Sequence, residues 1–408
     1  MRIALVGDLQ YLSIENENII PMMKQIAALQ PDFAVLMGDI GGGIPRTYEG
    51  FRETVELAQH LHCPYHVILG NHDVELYPQQ EEQFDSVGTY RKVFETEPNT
   101  AFVKDDVLYI CLSVESQPME QMRTIHGVYV SEEHYQWVKD QLDAHPGMPT
   151  LLIAHAPIAG NGLRCWRPTH TTSQDTYLDQ TYAPERWVAL LKEYPQIKAC
   201  FSAHFHLGHD YETAITEADG VFHVSCGTLV WGRDTTQQTR VIDVTEDKKL
   251  KIYTLDHKPG GAFREDVTID LTGKEKPSVE IFQVRKGDVY LKSPKATKVW
   301  RSKNLGRYYI FTDEEILWEY DPELHDLTGA IVRFEKVEDL RETPDKLIFS
   351  IGGNYYSVDP SSRARFDCYS GFAPQERTEE ENPIGEPVPE VPFENISRRD
   401  GIYVQFEV

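Results

Sequence analysis

Five apolar runs in this chain each end on residues able to bind a cation or move a proton. They are Asp8 after Gly7, Asp39 after Gly38, Asn71-His72-Asp73 after Gly70, His155 after Ala154, and His204-Phe205-His206 after Ser202-Ala203. Together they offer carboxylates, an amide oxygen and imidazoles, with no thiolate among them. Such a set favours manganese, iron or zinc over copper(I). It also holds more donors than one four-coordinate ion takes, so two ions are the economical reading. Taken singly, a strand-terminal Asp or Asn is as often a turn or cap residue. The repetition at five run ends is what points to a site.

The elements that must position these residues are legible as pattern. RIALVGD, FAVLMGD, YHVILGN, LYICLSV, TLLIAH and KACFSAH are short apolar runs of strand type. Between them Ile19, Met22, Met23, Ile26 and Leu29 recur at helical spacing, as do Phe51, Val55, Ala58 and Leu61. Ser131 is placed to cap a helix running through Tyr135, Val138 and Leu142, with Glu132 and Glu133 at its positive end. Pro184 suits the first turn of another helix over ERWVALLKEY. Alternating strands and helices predict an α/β domain, and in open α/β sheets the carboxyl ends of the strands converge on one crevice.

Past Asp256 the helical pattern ceases. VTIDLT, VEIFQV, DVYLKS, RYYIFT, EILWEY, AIVRF, KLIFSI, YYSV and YVQFEV alternate as antiparallel strands do. The division predicted is an α/β domain over 1–256 and an all-β domain over 257–408. The aromatics Tyr308, Tyr309, Trp318, Tyr355 and Tyr356 read as core and cross-strand pairs. The β domain is expected to wall the cleft or to mediate homo-oligomer formation.

The 408-residue chain has a formal net charge of −25. That balance argues against a nucleic acid polymer as partner, because binding phosphates along a strand needs an excess of lysine and arginine. It leaves room for a small phosphorylated substrate held through a metal. No apolar run approaches a membrane span, and Met1–Val6 reads as a first strand and not as a signal peptide. Six cysteines without a CxxC pair read as reduced thiols. The expectation is a cytoplasmic protein with no membrane partner.

In this order, GD at 7–8, GD at 38–39, GNHD at 70–73, the histidine of AHAP at 155 and HFH at 204–206 resemble the five-block signature of the calcineurin-like metallophosphoesterases. The resemblance implies an α/β fold, a four-layer α/β/β/α sandwich, to which this chain adds its second, all-β domain. It implies two divalent or trivalent transition-metal ions, Mn, Fe or Zn, bridged by Asp39. Asp8 and His206 would hold one ion, and Asn71, His155 and His204 the other. It also implies hydrolysis of a phosphoric ester by attack of a metal-bridging hydroxide, since two ions about 3.5–4 Å apart neutralise phosphoryl charge and acidify water. His72 resembles the family's acid, and Asp73 is expected to orient it. A small phosphodiester, a nucleotide or cyclic nucleotide, is the expected substrate. The alternatives are a phosphomonoester, or a metal-binding interaction scaffold without catalysis, against which the intact His72 argues.

Substrate contacts are expected from the loop NGLRCWRPTHTTSQDTYLDQTY, which follows His155 and precedes a helix. Arg164 and Arg167 could pair with phosphate oxygens, Trp166 could stack on a base or sugar, and His170 could reach the site. The first block departs from the family's Asp-x-His: here it is Asp8-Leu9-Gln10. Gln10 either supplies a neutral oxygen to the first ion or only hydrogen-bonds beside it. If it is a ligand, Gln10→His tightens the weaker of two metal affinities, because imidazole is the better donor to these ions. Metal titration of stripped wild type and variant reads this directly, and unchanged affinities place Gln10 outside the coordination shell.

Overall fold

The computed structural model describes residues 1–9, 16–40, 47–76, 83–118, 126–163, 176–180, 182–210, 212–229, 237–284, 296–304, 306–312, 316–321, 326–333, 336–344 and 346–358, with short stretches at 382–383, 396–397 and 403–404. These fall into two compact units that divide between residues 288 and 289.

The first unit is built on two sheets. One has six strands in the order β12-β11-β10-β1-β2-β3. They are β1 (Arg2–Val6), β2 (Phe33–Met37), β3 (Tyr65–Ile68), β10 (Gln238–Val244), β11 (Lys249–Asp256) and β12 (Phe263–Asp270). Strands β1, β2 and β3 run parallel, while β10, β11 and β12 join antiparallel. The other has seven strands in the order β13-β8-β9-β7-β6-β5-β4. They are β4 (Thr100–Lys104), β5 (Val107–Leu112), β6 (Thr150–Ala154), β7 (Ile197–Ser202), β8 (Ile215–Ala218), β9 (Val221–Ser225) and β13 (Phe282–Gln283). Here β5, β6, β7 and β9 are parallel.

Alternation along the strands assigns one face of each sheet to the other sheet and one to helices. Ile3, Leu5, Val35, Met37 and Ile68 form one cluster with Tyr109, Cys111, Leu151, Ile153 and Phe201 between the sheets. Their neighbours Ala4, Val6, Ala34, Leu36 and Val67 face outward, in a cluster with Met23, Ile26, Phe51 and Ala58. Those apolar partners come from α1 (Asn16–Ala28) and α2 (Tyr48–Ala58). On the far side Val138 and Leu142 of α4 (Glu132–Ala144) and Trp187 and Leu190 of α5 (Pro184–Glu193) serve the seven-stranded sheet. The result is the four-layer α/β/β/α sandwich. Full burial of each such aliphatic side chain contributes roughly 1.5–3 kcal/mol, and the core strands are buried on both faces.

The helix ends follow the sequence cues. Ser131 accepts from the His134 N–H at 3.3 Å, and Pro184 occupies the first turn of α5. A helix without such an obvious stripe, α3 (Ser86–Phe94), is capped by Asp85, which accepts from the Gly88 N–H at 2.8 Å. The strand Phe263–Asp270 and the short strand Phe282–Gln283 lie past residue 256 and pair into these two sheets, so sheet membership runs on beyond the point where helical pattern ends.

The second unit contains two four-stranded antiparallel sheets. One runs β14 (Ala296–Arg301), β15 (Tyr308–Thr312), β16 (Ile316–Asp321) and β17 (Asp326–Arg333) in order. The other combines β18 (Asp339–Glu342), β19 (Leu347–Ile351), β20 (Asn354–Val358) and the short β21 (Asn382–Pro383). Tyr309, Phe311 and Leu317 share a core with Leu340, Leu347 and Phe349. Tyr309 and Trp318 are fully buried, as core aromatics are.

The first unit also buries histidines away from the five strand ends. His223 on β9 is 2% exposed, its Nδ1 has no hydrogen-bond partner among the described residues, and burial lowers its pKa to about 4. The unfolded chain takes up a proton near the ordinary histidine value of 6.5 and the folded one does not until about 4, so stability is complete above 6.5 and falls as pH drops through that window. Between pH 7 and pH 5 this one group removes about 2 kcal/mol of stability. Urea unfolding at the two pH values checks it: the loss is expected to shrink by about that amount in His223→Gln.

Candidate metal centre

The carboxyl ends of β1, β2, β3, β6 and β7 carry the residues of interest, and the backbone there is unusual. Asp8, Asp39, His204 and His206 all adopt left-handed φ, at 37°, 52°, 68° and 52°. For a residue with a side chain this costs roughly 1–3 kcal/mol each, and such strain concentrates at functional sites. The glycines of the GD and GNHD blocks are demanded by close approach. A Cβ on Gly38 would stand 2.5 Å from the Gly70 nitrogen, and one on Gly70 would stand 2.2 Å from Asp39 Oδ1. The ends of β2 and β3 therefore touch backbone to backbone.

Four of these strand ends bring donors to one point. His155 Nε2 lies 3.0 Å from Asn71 Oδ1, 3.1 Å from His204 Nδ1 and 3.4 Å from Asp39 Oδ2. His155 Nδ1 is 2.8 Å from the Met37 carbonyl, which can only accept, so Nδ1 carries the proton of the neutral ring. Its Nε2 lone pair then faces a carboxylate oxygen, and amide and imidazole donors, with no proton to share. Donor atoms each about 2.1 Å from one ion lie about 3.0–3.4 Å from one another, which is the spacing found. The Met37 carbonyl acts as the outer partner that fixes a ligand histidine's tautomer.

A second group adjoins the first. Asp8 Oδ1 lies 3.3 Å from His206 Nε2 yet makes no hydrogen bond among the described residues, and it is fully buried. Asp8 Oδ2 accepts from the His204 N–H at 2.9 Å, which ties the two groups together. Donor atoms of Asp39, His155 and His204 lie within 4.8 Å of one another, as do those of Asp8, Asp39 and His206. Asp39 is common to both sets, the position of a bridging carboxylate. The electrostatics call for a cation. Burial works against charge, but the His155 and His72 rings hold the Asp39 carboxyl well below the usual range. Against the same burial, Asp39 lifts His155 to about 9. A proton answers in the protein alone what a metal ion would answer better. The donor set therefore fits two oxygen- and nitrogen-liganded transition-metal ions.

The GNHD block works differently from the expectation for one residue. Asp73 does not orient His72. Its carboxylate accepts from three backbone N–H groups, those of Asp39 at 2.8 Å, Ile40 at 3.0 Å and Gly70 at 2.7 Å. It is a clamp that binds the β2 and β3 ends together. Asn71, His72 and Asp73 form one tight 3₁₀ turn, and both carboxylate oxygens of Asp73 are taken by backbone amides. The His72 N–H donates to Asp39 Oδ1 at 2.9 Å, so the ring begins beside the centre, while its Nδ1 meets Glu75 Oε1 at 2.6 Å. The same oxygen receives His126 Nδ1 at 2.6 Å. Glu75 and His126 were not singled out by sequence pattern. The +3 spacing of Glu75 from His72 is a local cue, whereas His126 arrives from a loop 51 residues away.

Gln10, Arg164, Trp166, Arg167 and His170 lie outside the described residues. His209, near the HFH block in sequence, is buried elsewhere, with Nδ1 3.1 Å from Thr254 Oγ1, and burial beside Arg240 depresses its charged form. Among the described residues no helix is long and apolar enough to cross a membrane.

The family model for the calcineurin-like phosphoesterases matches residues 1–208. A protein of Arcobacter nitrofigilis named as a probable glycerophosphodiester phosphodiesterase GpdQ is 29% identical over 179 residues, 43% of this chain and 57% of that protein. This chain thus spans little more than half the length of that relative. Among solved structures, a dimetal phosphatase from Danio rerio aligns over 66% of this chain and 99% of its own at 12% identity and a TM-score of 0.47. GAP50, the anchor in the inner membrane complex of Plasmodium, aligns over 66% and 88% at 15% identity and a TM-score of 0.42.

Because a methyl group on Gly70 would collide with Asp39 Oδ1, Gly70→Ala is expected to displace the shared carboxylate while the sheets persist. Metal titration of stripped protein should show both affinities weakened about tenfold or more, with the far-ultraviolet circular dichroism of wild type. Wild-type affinities in this variant would contradict the bridging position of Asp39.

Proposed function

This chain belongs to the calcineurin-like phosphoesterase family, and on that footing we propose that it hydrolyses a small phosphodiester with two transition-metal ions held at the strand ends of its α/β unit. The observation that carries the reading is the convergence of Asn71 Oδ1, His155 Nε2, His204 Nδ1 and Asp39 Oδ2 at spacings of 3.0–3.4 Å from His155, lone pair to lone pair. Asn71, His155 and His204 would hold one ion and Asp8 and His206 the other, with Asp39 shared between the two sets. When bound, the ions supply charge neutralisation for phosphoryl oxygens and acidify water.

The chain's own residues do the rest. Asp73 keeps the β2 and β3 ends at the separation the bridge needs. His72, with its backbone N–H on Asp39 and a partly exposed ring, protonates the leaving oxygen. The diester preference is supported by the likeness to the Arcobacter protein, whose name specifies a phosphodiesterase. A nucleotide or cyclic nucleotide is the proposed form of the substrate, with Arg164, Arg167, Trp166 and His170 as its contacts. A cytoplasmic setting is proposed from the free thiols Cys111, Cys200 and Cys226, all buried in the core. The all-β unit is proposed to support self-association.

Chelation is expected to abolish activity, and readdition of Mn, Zn or Fe to restore it with about two ions per chain. The assay is a panel of mono- and diesters that includes alkyl leaving groups. Full activity in metal-free protein would sink the reading, and a preference for monoesters would replace its substrate class.

A further inference from the structure

The cluster of His72, Glu75 and His126 lies beside the proposed metal ligands and belongs to neither set of them. Glu75 is 5% exposed, a buried carboxylate reached by two imidazoles. Both contacts are 2.6 Å and both use Nδ1 on the same oxygen, Oε1. Distance decides what kind of cluster this is. Two ligands of one ion, each about 2.1 Å from it, stand about 3 Å or more apart, as the donors around His155 do. Contacts of 2.6 Å are instead charge-assisted hydrogen bonds. A carboxylate can only accept, so each Nδ1 donates. The rings lie 5.2 Å apart, tilted by 55°.

We propose that Glu75, braced by His126, is a positioning residue for the acid: it holds His72 with Nδ1–H inward, so that Nε2 carries the proton that is transferred. The inference rests on the phosphoesterase reading. In the step it serves, the bond from phosphorus to the leaving oxygen breaks, its electron pair stays on that oxygen, and the oxygen takes the Nε2 proton. His72 is left neutral, with Nδ1–H still on Glu75. Without the carboxylate the ring is free to turn and to exchange tautomers, and proton delivery fails while the metal ligands stay in place. His126 contributes by holding Oε1 from the other side. Its own chain position is fixed by the neighbouring loop, where the Glu115 N–H donates to the Tyr129 carbonyl at 2.7 Å. The Ser116 hydroxyl donates to the Val74 carbonyl at 2.8 Å, which ties that loop to the segment carrying Glu75.

The test uses the full chain loaded with zinc. Glu75→Ala should keep two zinc ions and lower kcat on a diester with an alkyl leaving group about ten- to a hundredfold, less than the roughly hundred- to ten-thousandfold that the acid itself contributes. The loss on a nitrophenyl diester, whose leaving group needs little protonation, should be several times smaller. Glu75→Gln, which retains an acceptor oxygen, should recover part of the alkyl-ester rate. In a His72→Ala background the further change Glu75→Ala should cost little, because the two act as one unit. Proton and nitrogen NMR should show hydrogen-bonded Nδ1–H signals assigned to His72 and His126 in wild type, the one from His126 lost in His126→Ala and both lost in Glu75→Ala. Equal losses on both esters, full additivity with His72→Ala, or a third zinc ion that disappears in His126→Ala would each overturn the proposal. If wild type cleaves no phosphoester, the functional reading fails, and the Nδ1–H spectra still decide the positioning.

Discussion

The constraint on which the rest of the site depends is electrostatic: buried lone pairs from separate strands are brought within about 3 Å of one another, and only positive charge makes that arrangement favourable. His155 is the centre of it. Its Nδ1 proton is committed to the Met37 carbonyl, so its Nε2 can relieve the crowding only by taking up a second proton or a metal ion. Everything nearby serves to hold that crowding in place. The Asp73 carboxylate collects three backbone N–H groups from two loops, and glycines remove the methyl groups that would keep those loops apart.

A dry core between two sheets is what lets such a site be rigid. Ile3, Leu5, Val35, Met37 and Ile68 fix the β1, β2 and β3 ends against β5, β6 and β7 within one cluster. Packed aliphatic layers deform little. Strained φ values at Asp8, Asp39, His204 and His206 are sustained because the strands on which they sit cannot yield. The same rigidity places His72 beside the centre through its backbone, while the ring's orientation is left to a side-chain contact with Glu75.

Much of the architecture was legible because burial repeats at the periods of helix and strand. Runs such as FAVLM and TLLIA are buried on both faces in parallel strands, and such runs stand out. Strands β8, β10 and β11 did not stand out, since polar residues alternate along ITEA, QTRVIDV and KLKIYTLD and only pairing reveals their sheet. Arg240 is the sharpest case. It lies inside β10 and reads as a surface residue, yet it is fully buried against Asp266 and Thr254.

By itself the sequence determined which polar residues end the strands and in what order: Asp8, Asp39, Asn71, His155, His204 and His206, the candidate donors, each follow a recognisable apolar run. It also determined the two classes of structure, because helical spacing ends near Asp256 and alternation takes over. Tertiary structure decided what each polar group touches. Asp73 sits next to His72 in sequence but spends its charge on backbone amides, and the ring's partner is Glu75. His126 joins the same carboxylate from 51 residues away. The reason is physical: periodicity records burial, which a chain expresses locally, whereas hydrogen-bond partnership depends on where separate loops meet, and loops carry no period.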